Sequence, residues 1–149
     1  MTDSTKSTFV YVTFIRTTPD RLWAALTTRE FTQRYWFGMH QESEWRTGAS
    51  WKLVFADGRV ADTGEIVEIE PQKRLVLRWR NEFRPDLKAE GDSRCTIELE
   101  PVDEAVKLTI THVMDRAASE FIAKVSGGWP RILSNLKSLL ETGEIVLSA

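Results

Sequence analysis

The sequence predicts an α+β domain in which an antiparallel sheet packs against one long C-terminal helix. Three observations carry that reading. Stretches with twofold apolar alternation follow one another between Phe9 and Val113, with turn residues between them. An apolar stripe then runs through Phe121, Val125, Trp129, Ile132, Leu133, Leu136, Leu139 and Leu140 at spacings of three and four. The 149 residues, 42% hydrophobic and 28% charged, suit one folded domain and not a disordered chain. The expected organisation is a flexible tail over residues 1–8 and a single domain over residues 9–149.

Phe9 to Arg16 is rich in aromatic and β-branched residues and reads as the first strand. Thr18 and Pro19 then supply a helix cap and a first helical position that needs no N–H donor. Leu22, Trp23 and Leu26 share one face of that helix, and a second short helix presents Phe31, Tyr35 and Trp36 before stopping at Gly38. From His40 to Arg46 the pattern is a weak polar strand. The next strand, Ala49 to Phe55, puts Trp51, Leu53 and Phe55 on one face, and Asp57-Gly58 turns the chain into Asp62 to Glu70. Leu75, Leu77 and Trp79 share a face of the following strand. Asn81 to Ser93, thirteen residues long, exceeds a hairpin loop and reads as a binding or mobile connection. Cys95, Ile97 and Leu99 face one way in the next strand, as do Val106, Leu108, Ile110 and His112 in the last. In the final helix Gly127, Gly128 and Pro130 predict a break or kink over Ser126 to Trp129, with the glycines allowing another backbone to approach closely. Gly143 ends that helix.

Composition narrows the function. A net charge of -2 gives no electrostatic reason to expect nucleic-acid binding, and no apolar run approaches the roughly 20 residues that span a bilayer. The polar N-terminus lacks a signal-type apolar core, and a lone Cys95 in an alternating strand reads as a buried small side chain, so a cytoplasmic setting is expected. No paired Cys and His spacing suggests a metal, and no cofactor motif or nucleophile with a base beside it is visible. Only His112, on an inward strand face, and the carboxylates Glu42 and Glu44 at twofold spacing offer acid–base chemistry. For each the plainer role is structural: a satisfied core histidine and a charged strand edge. The anomaly is six tryptophans against two tyrosines, which implies either a bulky core or a lined cavity.

Three blocks, "TPDRLWAALTT", "GASWKLVFADGRVADTGEIVEIEPQKRLVLRWR" and "GGWPRILSNLKSLLETG", carry a resemblance. They lie within a resemblance that covers nearly the whole chain from Phe9 to Gly143, and the spacing of Gly48, Asp57-Gly58, Gly64-Glu65, Pro71, Leu75 and Trp79 is its most specific part. The chain resembles the family of activators of the heat-shock-protein-90 ATPase, in its C-terminal-type domain, within the START and birch-pollen-allergen (SRPBCC) helix-grip superfamily. That resemblance implies a curved antiparallel sheet wrapped around the C-terminal helix, with a cavity between them. Its walls would come from Trp51, Phe55, Trp79, Ile97, Leu108, Ile110 and His112 of the sheet, Trp23 and Trp36 of the short helices, Phe83 of the long connection, and Phe121, Val125, Trp129 and Ile132 of the long helix. The function expected from it is non-catalytic binding of a small hydrophobic or aromatic molecule. Two alternatives stay open: a chaperone-associated interaction domain, or a cyclase- or aromatase-like enzyme that uses the cavity. A homodimer through a sheet edge is a further possible partner arrangement.

Overall fold

The computed structural model describes residues 5–148. Strand β1 (Ser7–Ile15) is followed by helices α1 (Pro19–Thr27) and α2 (Arg29–Tyr35). Strands β2 (His40–Ser43), β3 (Ser50–Val54), β4 (Val60–Glu70) and β5 (Arg74–Asn81) come next, then a single helical turn α3 (Pro85–Lys88). Strands β6 (Ser93–Val102) and β7 (Ala105–Met114) precede the long helix α4 (Glu120–Thr142). All seven strands form one antiparallel sheet in the order β1-β7-β6-β5-β4-β3-β2. β2 to β7 are a plain meander, and only β1 leaves it, pairing with β7 at the far edge. α1 and α2 therefore carry the chain from one edge of the sheet to the other. Among the described residues no helix is long and apolar enough to cross a membrane.

β1 starts at Ser7, so two residues expected in the tail are sheet residues, and Met1 to Ser4 lie outside the described residues. Ser7 is held on both sides: its hydroxyl donates to the Arg116 carbonyl at 2.7 Å and accepts from Ser119 N–H at 2.9 Å. β2 is shorter than the sequence pattern suggested. It ends at Ser43, because Trp45 takes a left-handed φ of 54° that no strand can continue through.

The inward face of the sheet is built around one close approach. Gly64 of β4 lies between Trp51 of β3 and Trp79 of β5 in register. A Cβ at position 64 would stand 1.7 Å from the Arg78 carbonyl oxygen and 3.4 Å from the Trp51 ring. Without one, the two indoles pack with centroids 4.5 Å apart. Trp79 then reaches Trp36 at 6.2 Å and Trp129 at 5.8 Å, which ties α2 and α4 to the sheet. Trp51 is completely buried and its Nε1–H donates to Gln41 Oε1 at 3.0 Å, while Gln41 Nε2 donates to the Leu26 carbonyl.

α4 begins at Ser119, whose hydroxyl accepts from Ile122 N–H, and ends at Gly143 in the left-handed conformation. The expected break over Ser126 to Trp129 does not occur: the helix is continuous through Pro130. Buried Trp129 and Ile132 anchor the turn on both sides of the proline, and packing outweighs the lost backbone bond. Nor do the glycines admit a neighbouring backbone. A Cβ at Gly127 or Gly128 would meet nothing within 4 Å.

Glycines 64 and 127 should therefore respond oppositely to alanine. Gly64→Ala is expected to lose at least the ~1–3 kcal/mol of an overpacked core, and Gly127→Ala to gain about 0.5–1 kcal/mol by restricting the unfolded helix residue. Chemical denaturation of the two variants checks the contrast.

Candidate ligand-binding cavity

A cavity of about 200 Å³ lies between the sheet and the N-terminal half of α4. Its wall is mostly aromatic and aliphatic, and Phe83, from the β5–β6 connection, meets Phe55 edge-on with centroids 5.1 Å apart. That connection is not loose. Leu87 of α3 is buried, and the Glu90 carboxylate accepts from Ser119 Oγ at 2.6 Å and from Glu120 N–H at 2.9 Å. A carboxylate at a helix N-terminus satisfies free backbone donors and opposes the positive end of the helix dipole. It thereby fixes the segment carrying Phe83 to the start of α4.

The structure brings eight of the expected wall residues to this cavity: Trp36, Phe55, Trp79, Phe83, Phe121, Val125, Trp129 and Ile132. Five lie elsewhere. Trp51 is sealed behind Trp79, and Leu108 and Ile110 are fully buried beneath the helix. Ile97 borders a separate, nearly filled void next to Trp36, Trp79 and Leu133. Trp23 is a partly buried residue packed at the margin of the core.

His112 also lies outside the cavity wall, and its bonds explain why. Trp129 Nε1–H donates to its Nδ1 at 3.2 Å. The ring proton must then sit on Nε2, which donates to Ser93 Oγ at 2.8 Å, and that hydroxyl donates to the Trp79 carbonyl at 2.9 Å. Burial pushes the imidazole pKa down to about 3. His112 is thus a neutral connector between β7, β6 and α4.

Glu42 and Glu44 do not form a carboxylate pair. Glu42 accepts from or pairs with His40 Nε2 at 2.8 Å, and that contact lowers its pKa; Glu44, beyond the end of β2, pairs with Arg46. The carboxyl in an apolar environment is Asp62 instead. It is 5% exposed, lies on the cavity wall, and stands opposite Asn81 in the β4–β5 register. Asn81 Nδ2 donates to its Oδ1 at 3.2 Å. Burial pushes Asp62 up to about 7, nearby Trp79 and Asn81 donors pull it back in part, and the Glu82 carboxylate pushes it further. Glu82 itself is held down to about 2, foremost by the Thr63 hydroxyl, then by Lys88 and Arg80. Its charge is therefore fixed beside Asp62 over the whole neutral range.

Met39, Leu53, Asp62, Asn81, Lys124 and Gly128 complete the wall and were not foreseen from the sequence. For three of them a signal existed, Leu53 sharing the alternating face of Trp51 and Phe55. Asp62 has the same strand parity as Gly64 and Ile66, and Asn81 the same parity as Leu77 and Trp79, so both belong to the inward face.

A curved antiparallel sheet closed by one long helix, with an aromatic cavity between them, defines a helix-grip protein of the START/SRPBCC type. The family model described as "Activator of Hsp90 ATPase homolog 1-like protein" matches residues 16–141, and the chain belongs to that family. Solved structures agree on the fold. Protein MLL2253 from Mesorhizobium loti is 24% identical with a TM-score of 0.77, covering 90% of this chain and 96% of its own. The Aha1 dimer from Colwellia psychrerythraea is 19% identical with a TM-score of 0.74, covering 92% and 98%. PFC0360w from Plasmodium falciparum, described as an HSP90 activator, is 22% identical with a TM-score of 0.72, covering 89% and 95%. No curated protein matched the chain.

Asp62 and His112 affect stability with opposite sign. Asp62, raised in the folded state, binds the extra proton when folded, so its contribution is complete below about pH 4 and is lost as pH rises toward 7. His112, lowered in the folded state, leaves the extra proton on the unfolded chain, so its contribution is complete above about 6.5 and is lost as pH falls toward 3. Between about pH 4.5 and 6.5 the two slopes cancel. Asp62→Asn should uncover the histidine alone, giving stability that climbs with pH by up to about 1.4 kcal/mol per unit in that window, where the parent is nearly flat. Urea titrations at several pH values read this directly.

Proposed function

We propose that this protein binds a small hydrophobic or aromatic molecule in the cavity between its sheet and α4, without transforming it. The observation that carries this reading is the cavity itself: about 200 Å³ of space with a mainly apolar wall, in a fold whose other inward surfaces are close-packed. An engineered cavity of about 150 Å³ takes up benzene, so the space suits a molecule of one or two rings. Gly128 supports the reading, because a helix-interior glycine with open space at its Cβ has no packing role and leaves room in the wall. The function is proposed for a cytoplasmic protein.

Two other readings have specific support. A titratable carboxyl, Asp62, in an apolar cavity is the kind of group a cyclase-like enzyme would use for proton transfer. The family description and the Plasmodium falciparum relative's designation favour a chaperone-associated domain, for which the exposed Val10, Val12 and Phe14 of β1 would supply a contact surface.

Native mass spectrometry of the purified protein, followed by denaturing extraction, is the first test. The expected result is a small molecule retained by the parent and lost in Gly128→Leu, whose side chain would enter the cavity, with the folded state intact by circular dichroism. Equal retention in Gly128→Leu, or a bare chain whose tryptophan emission ignores apolar aromatic probes, sinks the binding reading. Capture of a chaperone by such a bare chain, abolished by charge substitutions at Val10 and Val12, would establish the second alternative.

A further inference from the structure

Among the described residues that line the cavity, two have ionisable side chains: buried Asp62 of β4 and exposed Lys124 of α4. The surroundings of Asp62 do little to keep it charged. Its register partners are apolar Leu53 on β3 and Asn81 on β5. Asn81 Nδ2 donates to its Oδ1 at 3.2 Å, and the Trp79 indole N–H lies beside it; both favour the carboxylate, but burial outweighs them. The chain after α2 brings Trp36 and Met39 to the cavity, and the β5–β6 connection brings Phe83, none of which ionises. The nearest charge is Glu82, of like sign and already paired with Arg80 and Lys88. Lys124 shares the wall, yet no ion pair joins it to Asp62 among the described residues.

A space of about 200 Å³ with a carboxyl on its wall has room for several waters, at ~30 Å³ each in the liquid. An apolar occupant displaces them and offers the carboxyl no hydrogen bond in exchange. It therefore disfavours the charged form of Asp62 and favours the protonated one. Because the coupling is reciprocal, a protonated Asp62 in turn favours the occupant. An ammonium-bearing occupant would act in the opposite sense, binding the carboxylate and tightening as pH rises. The mainly apolar wall and the positive charge of Lys124 on it disfavour such a guest.

Building on the proposed binding function, we infer that the cavity takes up an uncharged ligand and a proton together, holding the ligand while the Asp62 carboxyl is neutral and releasing it when that carboxyl ionises. Burial places the ionisation at about 7, so the coupling acts in the neutral range. The sign follows from linkage: the occupied protein binds the extra proton, so affinity is highest below the ionisation and falls as pH rises through it. His112 takes no part, since it lies behind the aromatic wall and stays neutral down to about 3.

Naphthalene has no ionisable group, so any pH dependence of its binding belongs to the protein. In equilibrium dialysis from about pH 5.5 to about pH 8.5, the intact protein should lose at least about fivefold in affinity, with a slope no steeper than about tenfold per pH unit. Asp62→Asn, nearly isosteric and unable to ionise, should hold naphthalene with one affinity throughout, with circular dichroism confirming its fold at both ends of the range. In weakly buffered solution near about pH 7.5, saturating naphthalene should draw up to about one proton per molecule bound into the intact protein and none into the variant, read with an indicator dye. An affinity of the intact protein that is flat or rises with pH, or a slope that persists in Asp62→Asn, overturns the coupling and leaves the binding function standing. Uptake of naphthalene at no pH overturns both.

Discussion

The interior depends on Trp79 sitting where Gly64 lets it sit. Its indole touches Trp51 through the gap that a Cβ at position 64 would fill, and it reaches Trp36 and Trp129 on the other side. Its carbonyl accepts the Ser93 hydroxyl that in turn receives the His112 ring proton. One residue of β5 thus sets the position of α2, α4, β6 and β7. Aromatic pairs add about 0.5–1.5 kcal/mol each beyond the area they bury, and here several share a single ring. The same placement buries the Trp79 N–H beside the Asp62 carboxyl, whose charged form it helps to stabilise.

Two buried titratable groups flank that ring and are neutralised in different ways. His112 keeps one proton because Trp129 can only donate to it, and every polar atom it presents is matched. Asp62 has one bond from Asn81 and a charged neighbour, Glu82, which raises the cost of its own ionisation. A matched buried group is a structural device; an incompletely matched one is either a defect or a recognition element. Position separates the two here, since His112 lies behind the aromatic wall and Asp62 lies on it.

Most of the architecture could be read from the sequence because the strands alternate cleanly and the stripe from Phe121 to Leu140 keeps its period. The long helix survived the one local signal against it, at Pro130, because Trp129 and Ile132 bury on either side. The tryptophan excess left a bulky core and a lined cavity both open, and alternation could not tell wall from core. Trp51, Leu108 and Ile110 share an inward face with Trp79, and only packing depth separates them. Asp62 escaped notice for another reason. An aspartate in a strand reads as solvent-facing, and its inward parity becomes persuasive only when Asn81 is seen across the ladder. The irregular pairing between Ile66 and Glu68 blurs that parity further along β4.

The cavity has a local cause in side-chain size. Across the row formed by Trp51, Gly64 and Trp79, two indoles fill the space that the glycine leaves, and Trp79 reaches Trp129 of α4. One step along the strands the row is Leu53, Asp62 and Asn81, whose members are smaller and in part polar. Opposite them on α4 stands Gly128, with no side chain at all. A core under selection for stability alone would fill such a place, since each unfilled methyl-sized volume costs about 1 kcal/mol, and a bulkier residue at position 128 would meet no atom within 4 Å of its Cβ. The small residues on both sides of the gap, and the Asp62 carboxyl on its wall, are what the proposed occupant would require.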